Sequence, residues 1–71
     1  SQNLVVVSLD YSIGIKSVPG GGHMEVIGEV QPGTAGTILE VQYVGAGTFY
    51  YIQFDTGQIG WSEASFFSPE S

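Results

Sequence analysis

Cysteine is absent from the 71 residues, so neither a disulfide nor a thiolate metal site can hold this chain together. Histidine occurs once, as His23, which excludes an imidazole cluster. Basic side chains are almost missing: Lys16 stands alone against seven acids, for a net charge of −6. Binding to nucleic-acid phosphates needs clustered Lys and Arg, and there is nothing here to cluster. Attraction to an anionic membrane surface is disfavoured for the same reason. No apolar run exceeds four residues, as in Leu4 to Val7, whereas a membrane-spanning helix needs about 20. Helical periodicity is missing too, because glycine interrupts every stretch longer than about ten residues. The first residue, Ser1, fits either a processed product or an excised fragment.

What is present is a set of short β-patterned segments between turn signals, over a length that suits one domain, residues 1–71. The period-two pattern places strands at Leu4 to Leu9, Ile13 to Ser17, Met24 to Val30, Thr37 to Val44, Thr48 to Phe54 and Gln58 to Ser62, with a last one at Phe66-Phe67. Asp10-Tyr11-Ser12 reads as a turn, and Val18 to Gly22 as a loop in which Pro19 and three glycines resist strand pairing. Gln31-Pro32-Gly33 suits a type II turn, with Gly at the position that demands positive φ. Gly45-Ala46-Gly47 turns the chain, Asp55-Thr56-Gly57 reads as a hairpin turn closed by Gly57, and Glu63-Ala64-Ser65 suits one 3₁₀ turn. Alternation predicts a core of Val5, Val7, Ile13, Ile15, Val26, Ile27, Leu39, Val41, Tyr50, Ile52, Phe54, Ile59 and Phe67. The fold class that follows is all-β, a small barrel of five to seven short antiparallel strands with one 3₁₀ turn.

The order of segments resembles the bacterial SH3 domain family. Ile15-Lys16-Ser17-Val18-Pro19-Gly20 is similar to its early V-R-S-G-P segment, and Val26-Ile27-Gly28-Glu29-Val30 followed by Pro32-Gly33-Thr34 to its V-I-G…G-T segment. Phe49-Tyr50-Tyr51-Ile52 through Gly60-Trp61 is similar to its W-Y-x-V…G-W segment. Phe49 stands where the family usually has Trp, Val18 where it usually has Gly, and the Gly-Gly-Gly-His tract is an insertion. The resemblance implies an SH3-like barrel, with Gly60 allowing a tight turn before Trp61 covers the barrel end. It also implies a groove lined by outward-facing Tyr11, Phe49, Tyr51, Trp61 and Phe66. Members commonly recognise peptidoglycan peptides, while other SH3-like barrels are assembly parts, including in phage particles.

The residues themselves argue against catalysis. His23 follows three glycines with no motif marking a partner, and Asp55 is explained by its turn. Glu25, Glu29, Glu40 and Glu63 are spread over separate segments, and the triple glycine lacks the Lys and helix of a phosphate loop. No catalytic residue, metal ligand or cofactor is expected. Charged residues make up only 11% of the chain, so apolar groups must reach the surface, and such a surface suits partner contacts. The leading expectation is a non-enzymatic assembly protein docked on a larger protein assembly, such as a capsid decoration or other virion component, or assembled with itself. In that reading the Leu4 to Leu9 strand is free to extend a partner's sheet. The alternative is a peptidoglycan-peptide-binding module acting outside the cell or at the wall. Its −6 charge opposes approach to an anion-rich wall.

Overall fold

The computed structural model describes residues 3–19, 25–45 and 47–70. Seven strands occur in chain order: β1 (Leu4–Val7), β2 (Ile13–Lys16), β3 (Val26–Val30), β4 (Ala35–Val44), β5 (Gly47–Phe54), β6 (Ile59–Glu63) and β7 (Phe67–Pro69), with a 3₁₀ turn (Ala64–Phe66) before the last. They form one antiparallel sheet in the order β3-β2-β6-β5-β4-β1-β7. A β2–β3 flap, a β4-β5-β6 meander and a 3₁₀ turn leading into a strand beside β1 make up the expected SH3-like barrel. The sheet curls so that both of its ends contribute to one core: Val5 and Val7 of β1, Ile13 and Ile15 of β2, Val30 of β3, and Ile52 and Phe54 of β5.

The turns form as their chemistry requires. Gly33 adopts φ 82°, and the Thr34 N–H donates to the Gln31 carbonyl at 3.3 Å, closing the Pro32-Gly33 turn. At the β5–β6 turn the Gly57 N–H donates to Phe54 O at 2.9 Å, with Gly57 at φ 95°. The Phe54 N–H then donates to Gln58 O at 2.8 Å. This three-residue hairpin sets the register that turns Ile52 and Phe54 inward.

Two bulges overturn part of the expected core. In β4 the register slips between Ile38 and Glu40, leaving Leu39 as an extra residue. Gly36 and Ile38 face Phe54 and Ile52, and beyond the slip it is Val41 that faces Tyr50. Leu39 and Val41 are nonetheless exposed, at 51% and 42%, because β4 has ten residues while β1 beside it has four. The outer part of β4 therefore runs past β1, while β5 behind it stays paired with β6 as far as Phe49 and Glu63. In β3 the slip falls opposite Ile15 and Lys16, so that Gly28 faces Ile15 but Val26 faces Lys16. One extra residue moves Val26 to the outer side, and both Val26 and Ile27 are exposed. Ile59, another expected core residue, is exposed as well. Tyr50 and Phe67 are half-buried against the core, and Val30 joins it with 1% exposure.

Two further expectations change. β1 is paired on both sides, with β4 and with β7, so the first strand offers no free edge. Gly60 lies within β6 and is not among the residues of positive φ. It is needed because β2 passes close by: a Cβ there would sit 3.1 Å from Ile15 Cβ and 3.1 Å from Lys16 O. His23, the Gly20 to Gly22 tract, Met24 and the Ala46 turn position lie outside the described residues.

Candidate docking surface

The five aromatics expected to line one groove do not meet as a set. Tyr51 and Trp61 are cross-strand neighbours on the outer face of β5 and β6, with ring centroids 5.0 Å apart and planes at 36°. Phe49 lies two residues from Tyr51 on the same face, opposite Gln42 of β4 and Glu63 of β6. Phe49 and Trp61 are buried rather than outward, at 6% and 8% exposure, and the Phe49 ring folds back over Gly47. Phe66 packs against the main core, with its ring 6.5 Å from that of Phe67. Tyr11 is exposed in the bend between β1 and β2, and none of the ring contacts includes it.

The outer face carries a row across four strands, Lys16-Trp61-Tyr51-Glu40, with the single cation at one end and a carboxylate at the other. A cleft of about 360 Å³ opens between the start of β5, near the tip of the β4–β5 hairpin, and the 3₁₀ turn, lined by Gly47, Thr48, Glu63, Ala64 and Ser65. The Ser65 hydroxyl donates to the Glu63 carboxylate at 3.4 Å on the wall of this cleft. Among the described residues no three of His, Cys, Asp and Glu gather as metal ligands.

The surface that alternation alone did not reveal is the outer part of β4. Six consecutive residues of β4, Leu39 to Val44, are exposed. Four are large and apolar: Leu39, Val41, Tyr43 at 78%, and Val44. Glu40 is the one charge among them, and the Gln42 amide donates to its carboxylate at 3.2 Å. Val41 and Tyr43 continue the barrel's inner face outward, meeting Tyr50, whose ring lies 6.2 Å from that of Phe67. Strand length carries the signal that could have exposed this. A ten-residue strand beside a four-residue one must leave its far half uncovered.

Among the described residues the backbone of this segment is unpaired on one side. β1 pairs with β4 only through Ala35, Gly36 and Thr37, and the Ile38 N–H donates to Asn3 O at 2.9 Å. Beyond Ile38 the edge of β4 away from β5 has no strand partner among the described residues. Exposed apolar side chains on an open strand edge are a combination that proteins otherwise blunt with proline, lysine or a covering element. Comparison with protein-family models, with curated proteins and with solved structures gives no match for this chain.

Proposed function

We propose that this chain is a non-enzymatic assembly protein that docks an SH3-like barrel into a larger protein assembly, such as a virion shell, through the exposed apolar stretch of β4. One observation carries the reading: Leu39, Val41, Tyr43 and Val44 are exposed along the part of β4 that runs beyond its pairing with β1. Solvated strands normally alternate apolar and charged faces, and the exposed part of β4 has no covering element to justify its apolar side. Tyr is suited to such contacts because it brings large area with few rotamers to lose. The scarcity of charge extends the argument, since the strands of the meander carry only Glu40 and Glu63 and no basic residue.

The test is fractionation by size from the native source. The chain is expected in a high-mass particle at fixed stoichiometry, and the double variant Val41→Ser with Tyr43→Ser, which leaves the core untouched, is expected to fall out of it. Recovery of the native chain only as a free small protein would sink the proposal. Pelleting with purified peptidoglycan sacculi at physiological salt would replace it with the wall-binding reading.

A further inference from the structure

We infer that the cleft beside the 3₁₀ turn seats an arginine side chain of a protein partner, with Glu63 as the carboxylate that receives its guanidinium. The inference rests on the docking reading and names the chemistry of what docks. The cleft exists because β5 is paired over different lengths on its two sides. Its pairing with β6 stops at Phe49 and Glu63, whereas its pairing with β4 continues through Thr48 and Gly47. There β6 gives way to the 3₁₀ turn, and the first two residues of β5 have no strand beside them on that side among the described residues. Gly47, Thr48, Glu63, Ala64 and Ser65 line the space that results. Its volume of about 360 Å³ falls within the range of about 300–1,000 Å³ usual for ligand clefts.

The polar groups around this space suit a guanidinium. Glu63 directly precedes the 3₁₀ turn, yet its side chain makes no capping hydrogen bond and is exposed. The Ser65 hydroxyl orients that carboxylate from 3.4 Å without neutralising it. Successive residues of a strand aim their N–H and C=O to opposite sides, so one of Gly47 and Thr48 offers a carbonyl to the cleft. Arginine carries five N–H donors in a planar fork: two match a carboxylate, and the others can reach a carbonyl or a hydroxyl. Gly47 and Ala64 have no long side chain, which leaves room for the aliphatic stem. Charge and position favour a partner's cation. The net charge is −6, and Lys16 sits on the far side of β6, opposite Trp61, so a basic partner gains from the whole surface as well as from Glu63. Gly47 and Thr48 are also the direct cross-strand partners of Val44 and Tyr43, about 5 Å away. A partner resting on the exposed stretch of β4 therefore reaches the cleft within the same contact, and an arginine beside a tyrosine is where binding energy tends to concentrate.

The probe is a capped Gly-Arg-Gly peptide titrated into the isotope-labelled chain and followed by NMR, with the citrulline and lysine peptides for comparison. Citrulline keeps the shape of arginine and loses its charge; lysine keeps the charge and loses the fork. The arginine peptide is expected to give saturable amide shifts confined to Gly47, Thr48, Glu63, Ala64 and Ser65. It should bind about threefold or more tighter than the citrulline peptide, on the scale of an exposed ion pair, and tighter than the lysine peptide. Glu63→Gln, at an exposed position, is expected to remove that advantage with the fold intact. Asp55→Asn removes the same charge beyond the opposite end of β5 and is expected to leave binding unchanged. Affinity should fall as salt rises from roughly 20 to 300 mM, because screening weakens attraction between opposite charges.

Shifts that spread over the surface without saturating overturn the inference. So does a citrulline or lysine peptide that binds as well as the arginine one, or a Glu63→Gln chain that binds arginine as tightly as the native chain. In the particle, Glu63→Lys is expected to lower incorporation by placing like charges together. If Glu63→Lys incorporates at the native stoichiometry while the Val41→Ser, Tyr43→Ser variant falls out, this inference fails and the docking proposal stands. If that double variant incorporates normally, the docking proposal itself fails and this inference falls with it.

Discussion

At the scale of single residues, the tightest constraint is a hydrogen atom on a backbone carbon. Gly36 is buried where β4 is sandwiched between β1 and β5, and a Cβ there would meet Ile52 Cγ2 at 2.6 Å, Gln53 O at 3.1 Å and Phe54 Cδ1 at 3.2 Å. Ile52 is fully buried and has nowhere to retreat. Gly36→Ala is therefore expected to cost about 1–3 kcal/mol through overpacking, read as a lower urea midpoint. Gly33→Ala gives a contrast of mechanism: nothing lies within 4 Å of its Cβ, and its cost arises from φ 82° alone, about 1–2 kcal/mol. Phe49 makes a second residue-scale case. Its place on the face opposite Ile52 suggested a contact residue, yet at 6% exposure it is packed within its own molecule. Phe49→Ser is expected to lower stability by about 3–5 kcal/mol, on the scale of losing a buried aromatic. An unchanged unfolding curve would return Phe49 to the list of candidate contacts.

Among the elements, the β2–β3 flap is the piece held least by ladder pairing, since β2 meets β6 through the single pair Lys16 and Trp61. Two side chains supplement that seam. Ser62, 4% exposed, donates its hydroxyl to Gly14 O at 3.2 Å, and Gln58 donates its amide to Glu29 O while its own carbonyl accepts from Thr56 Oγ1 at 2.7 Å. Ser62→Ala leaves a part-buried carbonyl without that partner, and is expected to cost about 1–3 kcal/mol. Hydrogen exchange should accelerate in β2 and β3 before it does in β4 and β5; uniform acceleration would mean that the flap is not a separate unit. The same elements explain what could be read from the sequence. Alternation and turn chemistry placed seven strands, the 3₁₀ turn and the inward set Val5, Val7, Ile13, Ile15, Ile52 and Phe54, because each depends on local residues and on one shared core. Val26, Leu39 and Val41 misled because a bulge changes phase by one residue and strand overhang is fixed by the neighbour's length; neither leaves a mark in the alternation. The candidate site suffered most. Trp61 and Phe49 have the composition of a binding face, but cross-strand packing decides whether a ring is offered or used up.

For the molecule as a whole, the dominant long-range force is repulsion. All seven acids are exposed on a body of 31 × 21 × 21 Å, and Lys16 is the only lysine or arginine to offset them. At low ionic strength the Debye length is about 30 Å, as long as the molecule, so every carboxylate acts on every other; at physiological salt it falls to about 8 Å and most pairs are screened. Unfolding spreads the same charges over a larger volume, so the repulsion weighs on the folded state more than on the unfolded one. Adding sodium chloride from roughly 10 to 150 mM should therefore raise the urea midpoint, most steeply at the low end of that range. Asp10→Asn with Glu25→Gln removes two exposed carboxylates and takes the net charge from −6 to −4. It should raise the midpoint at low salt and flatten the salt dependence, with the two proteins converging as screening becomes complete. Measuring at low micromolar concentration separates this intramolecular effect from any association between molecules. A salt slope identical in the two proteins would show that the salt acts through general solvation rather than through the acidic surface.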